Sequence, residues 1–172
     1  MRATLVCRRW LPWPHDETLH NAPAGYQKQC DGVNDIMKTQ TSRIGEAMVI
    51  RLDSGDDILL SIREAVAQHG LKHALILGAM GSVRRYHVHV VETDTLPPKD
   101  VFLKGEVPLD ILSLNGVIMN GRVHAHISFS GTKLTMGGHL EEGCQILSFG
   151  QVWLITAADA DLTDWDRIGR IG

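Results

Sequence analysis

The sequence predicts an α+β domain in which a mostly antiparallel sheet packs with one main helix. Two observations indicate this class: several short segments alternate apolar and polar residues with the period of a half-buried strand, and residues 58–69 carry apolar side chains at helical spacing. The 172 residues include 44% hydrophobic residues, which is enough for one ordinary core. We divide the chain into an N-terminal extension (1–40), one folded domain (41–158) and a C-terminal tail (159–172).

The N-terminal extension lacks any sustained hydrophobic period and is predicted to be loop or disordered. Met37 stands just ahead of the first convincing strand, so a protein could also start sensibly there. Residues 1–36 are therefore either a genuine part of the protein or an error in the assigned gene start, and the sequence leaves both readings open.

The folded domain is predicted to begin with a strand over 47–52 that leads into the helix. Asp56 and Asp57 precede that helix, where acidic side chains favour the helix dipole, and Gly70 follows it where a C′ glycine belongs. Further strands are predicted over 71–77, 83–92, 107–119 and 144–156, the first two separated by a glycine-containing turn at 78–81. The C-terminal tail is predicted to form a short helix or an extension that packs on a neighbour.

Residues 122–140 are the most informative part of the chain because they read as one β-hairpin that carries three histidines. Side chains alternate along a strand, so Ala125 and Ile127 would line an apolar face while His124 and His126 line the other. The pattern predicts a half-buried strand with a His-x-His pair on its polar side.

The register of this hairpin decides where the third histidine, His139, lies. Gly131-Thr132 reads as a two-residue type II′ turn, because glycine takes the positive φ of the first central position. That turn would pair Ser130 with Lys133 and His124 with His139, and directly opposed residues share a face. A loop with an odd residue count would instead put His139 on the other face.

Three histidines in this arrangement predict a metal site. Neutral imidazoles at i and i+2 can converge on one ion about 2.0–2.1 Å from each nitrogen, and a cross-strand imidazole completes a facial set. We therefore predict that His124, His126 and His139 bind a divalent metal, with zinc the best fit, and leave one coordination position open. The alternative is that the His-x-His pair is only the solvated face of an antiparallel strand.

Five motifs follow one another over residues 43–156: Asp56-Asp57-Ile58, Gly81-Ser82-Val83, Leu112-Ser113-Leu114-Asn115-Gly116, His124-Ala125-His126 and Gly137-Gly138-His139-Leu140-Glu141-Glu142-Gly143-Cys144. Their order and spacing resemble the bacterial members of the plants and prokaryotes conserved (PPC) domain family, and the last motif is the most specific. The resemblance implies a compact α+β domain that assembles as a trimer, with the three histidines binding a metal in prokaryotic members.

The chain also departs from this family. Plant members carry an AT-hook with an Arg-Gly-Arg-Pro core, whereas here Gly121-Arg122 is followed by Val123, so DNA binding is not carried over by motif. The resemblance assigns no role to a second His-x-His pair, His87 and His89. In architecture the predicted fold also resembles acetolactate decarboxylase, whose zinc is held through a similar histidine pattern.

The net charge limits the classes of binding partner, and the cysteines indicate the cellular compartment. A net charge of −3 lacks the basic footprint of proteins that neutralise phosphates, so family association alone suggests DNA as a partner. Cys7, Cys30 and Cys144 are widely spaced, which argues against a disulfide framework and indicates a reducing compartment; Cys144 is expected to pack in the core. Because no long apolar run occurs, we expect a cytoplasmic protein with no membrane partner.

Three functions stay open. The first is a regulatory or scaffolding homotrimer in which the metal is structural or sensory. The second is a zinc-dependent enzyme, hydrolase or decarboxylase-like, with a small molecule at the open metal position. For that enzyme Glu141 is either a fourth ligand or a general base, and it is otherwise a solvated turn residue. The third is DNA binding without an AT-hook. We rank the first highest because the acid/base complement beside the histidines is thin, and whether the chain is an enzyme stays undecided.

Overall fold

The computed structural model describes residues 38–168, which form six antiparallel strands and one helix. In chain order the elements are β1 (Ile44–Asp53), α1 (Ile58–Gln68), β2 (His73–Val91), β3 (Asp100–Met119), β4 (Arg122–Ser130), β5 (Thr135–Leu140) and β6 (Gln145–Ala157). The predicted α+β class, a mostly antiparallel sheet with one helix, is confirmed. The predictions for residues 1–37 lie outside the described residues. In the described part of the chain, no helix has both the length and the apolar character that crossing a bilayer requires.

The strands form one sheet in the order β1-β6-β2-β3-β4-β5, and β5 also pairs with β2. The extra pairing joins Val88 to Leu140 and His89 to His139, so β2, β3, β4 and β5 form a closed ring of hydrogen-bonded strands. Residues that point into this ring are buried, among them Val88, Ala125, Ile127 and Leu140. Their chain neighbours therefore lie on the outside of the ring.

The helix begins and ends where the sequence predicts. Asp57 is the N-cap, and its carboxylate accepts a hydrogen bond of 3.0 Å from the Leu60 N–H. Gly70 follows the C-cap residue His69 and has a φ of +60°, the left-handed conformation that glycine tolerates. The buried residues of α1 face β1, β4 and β6; they are Ile58, Leu59, Ile62 and Val66.

One long strand replaces two predicted ones. The sequence predicts a turn at 78–81, and this prediction is wrong because β2 continues through it. The glycines form bulges instead: the pairing of β2 with β6 shifts register between Ile76 and Gly78 and again between Gly81 and Val83. At Gly81, with φ +138°, a Cβ would lie 2.4 Å from the Phe149 carbonyl oxygen, so only glycine fits there.

The connection between β4 and β5 also differs from the prediction of a two-residue turn. It consists of four residues, 131–134, and is closed by a 2.8 Å hydrogen bond from the Gly131 N–H to the Leu134 carbonyl. Gly131 does not take the positive φ that a type II′ turn requires. Ser130 therefore pairs with Thr135, and the two-residue turn is wrong.

The described part of the C-terminal tail, residues 159–168, consists of turns rather than a helix. Several hydrogen bonds and ion pairs hold it to the domain, among them a 3.4 Å hydrogen bond from the Leu162 N–H to His73 Nδ1. The Asp159 carboxylate accepts a 2.7 Å hydrogen bond from the Arg43 N–H, and Asp166 forms an ion pair with Arg122.

The close approach of β5 to β2 at Gly138 generates a stability prediction. A Cβ at Gly138 would lie 2.5 Å from the His89 carbonyl oxygen and 3.2 Å from the Val88 Cβ. We expect Gly138→Ala to lower the free energy of unfolding by about 1–3 kcal/mol, because paired backbone cannot move aside without loss of hydrogen bonds. Urea unfolding followed by circular dichroism measures this change.

Gly78→Ala is the matched control, since its Cβ would meet nothing closer than the Leu114 carbonyl oxygen at 4.0 Å. Its free energy of unfolding should change by less than about 0.5 kcal/mol. Equal stability of the two variants would contradict tight closure of the strand ring at Gly138.

Candidate metal centre

Three adjacent strands place histidines side by side on the outer face of the ring. His126 in β4 pairs with His139 in β5, and His139 pairs with His89 in β2. Directly opposed residues share a face, so the three imidazoles form a row. The predicted register, with His139 opposite His124, is wrong by two residues. Because a four-residue loop keeps the even count, His139 still joins the His-x-His face.

The position of β4 depends on a second turn, which joins it to β3. Asn120 and Gly121 have φ values of +49° and +78°, as a two-residue type I′ hairpin turn requires. This turn pairs Met119 with Arg122 and sets the register of all later residues in β4. As a result His124 lies opposite Val117.

The three predicted ligands lie close together. Their ring centroids are 5.5 Å apart for His124 and His126, 4.7 Å for His124 and His139, and 5.5 Å for His126 and His139. Imidazoles bound through nitrogen to one tetrahedral ion have centroids roughly 5 Å apart, because each nitrogen lies about 2.0–2.1 Å from the ion. The ring separations are therefore those of three ligands of one ion, although the donor atoms of these three residues do not all lie within 4.8 Å of one another.

His89 is a fourth imidazole at this site, and the sequence gives it no role. Its ring stacks on His139 with a centroid separation of 4.4 Å and an interplanar angle of 18°. The Phe102 ring of β3 lies 5.4 Å from it. We call His89, His124, His126 and His139 the histidine cluster. His87, the other member of the second His-x-His pair, instead contacts the Glu142 carbonyl through Nδ1 at 2.6 Å.

Glu141 lies against the histidine cluster and is not a solvated turn residue. Its Oε1 is 2.6 Å from His89 Nδ1 and 3.6 Å from His139 Nδ1. Glu142, in contrast, is exposed and forms an ion pair with Arg63. Among residues 38–168, the donor atoms of His89, His139 and Glu141 all lie within 4.8 Å of one another. This tighter group shares only His139 with the predicted ligand set.

Burial and the neighbouring histidines lower the pKa of His126 and of His139, which favours their neutral forms. Burial lowers the pKa of His126, and the nearby His124 and His89 lower it further. Burial is also the largest cause that lowers the pKa of His139, followed by His89 and His124, while Glu141 acts in the opposite direction. Neutral imidazole is the form that binds a metal.

The residues present fit a divalent ion. His139 Nδ1 is buried and has no hydrogen-bond partner, which is costly for a polar atom unless something else satisfies it. Imidazole nitrogens with one carboxylate oxygen form a donor set that suits zinc and other first-row divalent metals. The side chains present could therefore hold a divalent metal, and the structure adds His89 and Glu141 to the predicted residues.

Cys144 packs in the core, as the sequence predicts, and is not part of a reactive site. It is fully buried, and its thiol donates a hydrogen bond of 3.2 Å to the His87 carbonyl. Burial raises the pKa of the Cys144 thiol to about 12, so almost no thiolate forms near neutral pH.

A cleft of about 560 Å³ lies at the other end of β4. Its polar lining includes Ser82, Asp110, Ser130 and Thr132, and no residue of the histidine cluster borders it. The cleft therefore offers no enclosed pocket around the proposed ligands.

Fold and site together define a class: a small α+β domain whose ring of antiparallel strands carries a histidine-rich site on its outer face. The chain belongs to the Plants and Prokaryotes Conserved domain family, whose profile matches residues 39–158. The family is abbreviated both PCC and PPC. The resemblance seen in the sequence motifs is thereby confirmed.

Several solved structures have a similar fold. A metal-containing protein from Archaeoglobus fulgidus is 26% identical, with a TM-score of 0.61 over 70% of this chain and 85% of that one. A PPC protein from Pyrococcus horikoshii is 22% identical, with a TM-score of 0.61 over 73% and 87%. A Bacteroides thetaiotaomicron protein described only provisionally as DNA-binding is 13% identical, with a TM-score of 0.57 over 71% and 87%. No curated protein matches this chain at a significant level.

Proposed function

We propose that this chain is a metal-binding homotrimer of the PPC family with a regulatory or scaffolding role. One divalent ion, with zinc as the best fit, would bind through His124, His126 and His139. The observation that carries the proposal is the proximity of these three rings on two paired strands, with centroids 4.7–5.5 Å apart. The metal-containing relative from Archaeoglobus fulgidus also supports it.

The position of the ligands indicates what the ion would do. His124 and His126 belong to β4 and His139 to β5, so one ion bound to all three would link two strands of the closed ring. Metal binding that occurs only in the folded state contributes directly to stability. The role would therefore be structural or sensory, with the outer face of the ring ordered when metal is present.

The first test is metal content. We expect about one zinc per wild-type chain after dialysis, measured by elemental analysis, and loss of stoichiometric metal in His124→Ala, His126→Ala or His139→Ala, because two imidazoles hold zinc far less tightly than three. His69→Ala is the matched control, since this exposed histidine caps α1 away from the histidine cluster. If the three single variants keep wild-type metal content, these histidines are surface residues and not ligands.

An exposed apolar surface beside the histidine cluster supports the homotrimer. Val49 of β1 pairs with Trp153 of β6, and these side chains are 46% and 44% exposed. In β2, Leu75 is 40% exposed and pairs with Val117, which itself pairs with His124. We call Val49, Leu75 and Trp153 the outer apolar face. Contiguous exposed apolar surface marks an interaction site, and closed symmetry makes further copies of the chain a natural partner.

Light scattering tests the assembly. The wild-type protein should have three times the 19.0 kDa mass of one chain. Trp153→Glu should reduce this to the monomer mass, because a buried, unpaired carboxylate strongly disfavours association. Leu60→Glu is the control: Leu60 is 48% exposed on α1 and not on the outer apolar face. A wild-type monomer at micromolar concentration would remove the trimer from the proposal.

DNA association is the part of the family's implied role that this chain supports least. The net charge is −3. The two adjacent arginines are both engaged within the domain: Arg84 donates to Ser54 Oγ and to the Leu147 carbonyl, and Arg85 forms an ion pair with Glu106. A regulatory role on DNA would therefore need either a partner protein that binds the DNA or a contact with DNA through only a few residues of this chain.

Binding to duplex DNA should accordingly be weak and sensitive to salt. Fluorescence anisotropy with a labelled duplex should show any low-salt affinity disappearing by about 0.2 M salt, because such affinity would rest on nonspecific phosphate contacts, whose counterion-release gain falls as salt is added. The measurement is made on metal-loaded and metal-free protein. Salt-resistant, sequence-selective binding would promote the DNA-binding reading over the scaffolding one.

A zinc-dependent enzyme, hydrolase or decarboxylase-like, is the second candidate, and the carboxylate of Glu141 favours it. Such a reaction needs a titratable group within reach of an open metal position. The Glu141 Oε1, however, is already hydrogen-bonded to His89 at 2.6 Å, and an architecture like that of acetolactate decarboxylase gives weak warrant for a reaction. Turnover of esters, 2-oxo acids or acetolactate that vanishes in His124→Ala would place the enzyme first.

A further inference from the structure

Glu141 follows the last residue of β5 but stays aligned with the strand. Its N–H donates to the His87 carbonyl at 3.1 Å, which continues the contact between β5 and β2 by one step. Glu141 and His139 are two residues apart on an extended backbone, so their side chains point to the same face. The Glu141 side chain is 26% exposed, which is low for a carboxylate after a strand end. The fold therefore directs this carboxylate toward the histidine cluster.

Two distances from Glu141 Oε1 indicate different roles for its two neighbours. Donor atoms that each lie about 2.0–2.1 Å from one ion are roughly 3.3–3.6 Å apart at tetrahedral or trigonal angles. The 3.6 Å between Glu141 Oε1 and His139 Nδ1 matches this separation and is too long for a hydrogen bond. The 2.6 Å between Glu141 Oε1 and His89 Nδ1 is instead the length of a strong hydrogen bond.

The other contacts of His139 and His89 agree with a metal-binding role for His139 and a hydrogen-bonding role for His89. His139 Nδ1 is buried without a hydrogen-bond partner, so in the tautomer that carries its proton on Nε2 the Nδ1 lone pair is free to bind an ion. His89 lies between two carboxylates, with Nδ1 at Glu141 and Nε2 4.0 Å from Asp100 Oδ2. Its ring is thus flanked by two carboxylates and stacks on His139.

We propose that Glu141 is a fourth protein ligand of the divalent ion and that His89 is a positioning residue that holds the Glu141 carboxylate toward it. This inference rests on the proposed function, because it requires the three-histidine site to bind an ion. Three imidazoles and one carboxylate fill a four-coordinate shell. Closed shells characterise structural zinc sites, whereas catalytic sites keep one position open, so Glu141 makes this site structural or sensory rather than catalytic.

Zinc affinity, measured by competition with a chelating dye, tests Glu141. Glu141→Gln keeps the size of the side chain and removes its charge, and it should weaken zinc binding at least about 100-fold, the upper range seen when even an outer partner of a ligand is removed. Glu142→Gln is the matched control, since this neighbouring carboxylate contacts Arg63 and not the histidine cluster. Its zinc affinity should equal that of the wild-type chain.

The same measurement tests His89. His89→Ala should weaken zinc binding about 10–100-fold, as expected when a partner that orients a ligand is lost. His89→Gln keeps a hydrogen-bond donor for Glu141 and should recover most of the affinity. His87→Ala serves as the control for removal of a histidine from β2. Full affinity in His89→Ala would overturn the positioning role.

Cobalt(II) in place of zinc reports the coordination number through its visible absorption, which is intense for four-coordinate ions and weak for six-coordinate ones. The wild-type cobalt protein should show intense bands that added azide leaves unchanged. Glu141→Gln should open a position, so azide should change its bands. Azide-sensitive bands in the wild-type protein would overturn the proposal. Because this measurement uses the wild-type protein, it tests the fourth ligand even if a variant fails to fold.

These measurements distinguish the loss of the fourth ligand from the loss of the whole metal site. If wild-type protein binds one zinc that His124→Ala abolishes, but Glu141→Gln binds as tightly as Glu142→Gln, the three-histidine site stands and the fourth ligand is overturned. If the wild-type protein binds no zinc, both the proposed function and this inference are overturned.

Discussion

The pairing of β5 with both β4 and β2 closes the strand ring and positions the histidine cluster. Opposed residues share a face, so this double pairing brings His126, His139 and His89 into one row on the outside of the ring. A slip of one residue would turn His139 inward and expose Leu140, which is buried in the core. The same hydrogen bonds therefore hold the core and the histidine cluster, and an ion bound across β4 and β5 would reinforce the pairing.

Local signals predict those parts of the fold that are themselves local. The helix ends follow from Asp57 as the N-cap and Gly70 after the C-cap, since capping involves residues within one turn. The continuity of β2 does not follow from local signals, because Gly78 and Gly81 indicate a turn when taken alone. Pairing with β3 on one side and β6 on the other supports the strand through both glycines as bulges, and this support is long-range.

The candidate site divides in the same way. The outward position of His124 and His126 follows from alternation with buried neighbours along one strand. The prediction of a two-residue turn is wrong because Gly131 is needed for close packing and not for a positive φ. A Cβ at Gly131 would lie 2.7 Å from Leu109 Cδ2. His89 joins the site only through the β2–β5 pairing, which links residues far apart in the sequence. The second His-x-His pair marks His89 in the sequence, but no local signal specifies that its strand pairs with β5.

Anomalous diffraction at the zinc absorption edge, from crystals grown with zinc, tests the central claim most directly because it locates the ion without any variant. We expect one peak per chain on the outer face of the strand ring, about 2.0–2.1 Å from nitrogens of His124, His126 and His139. The absence of a peak there, or a peak only at other histidines such as His69 or His73, would contradict it.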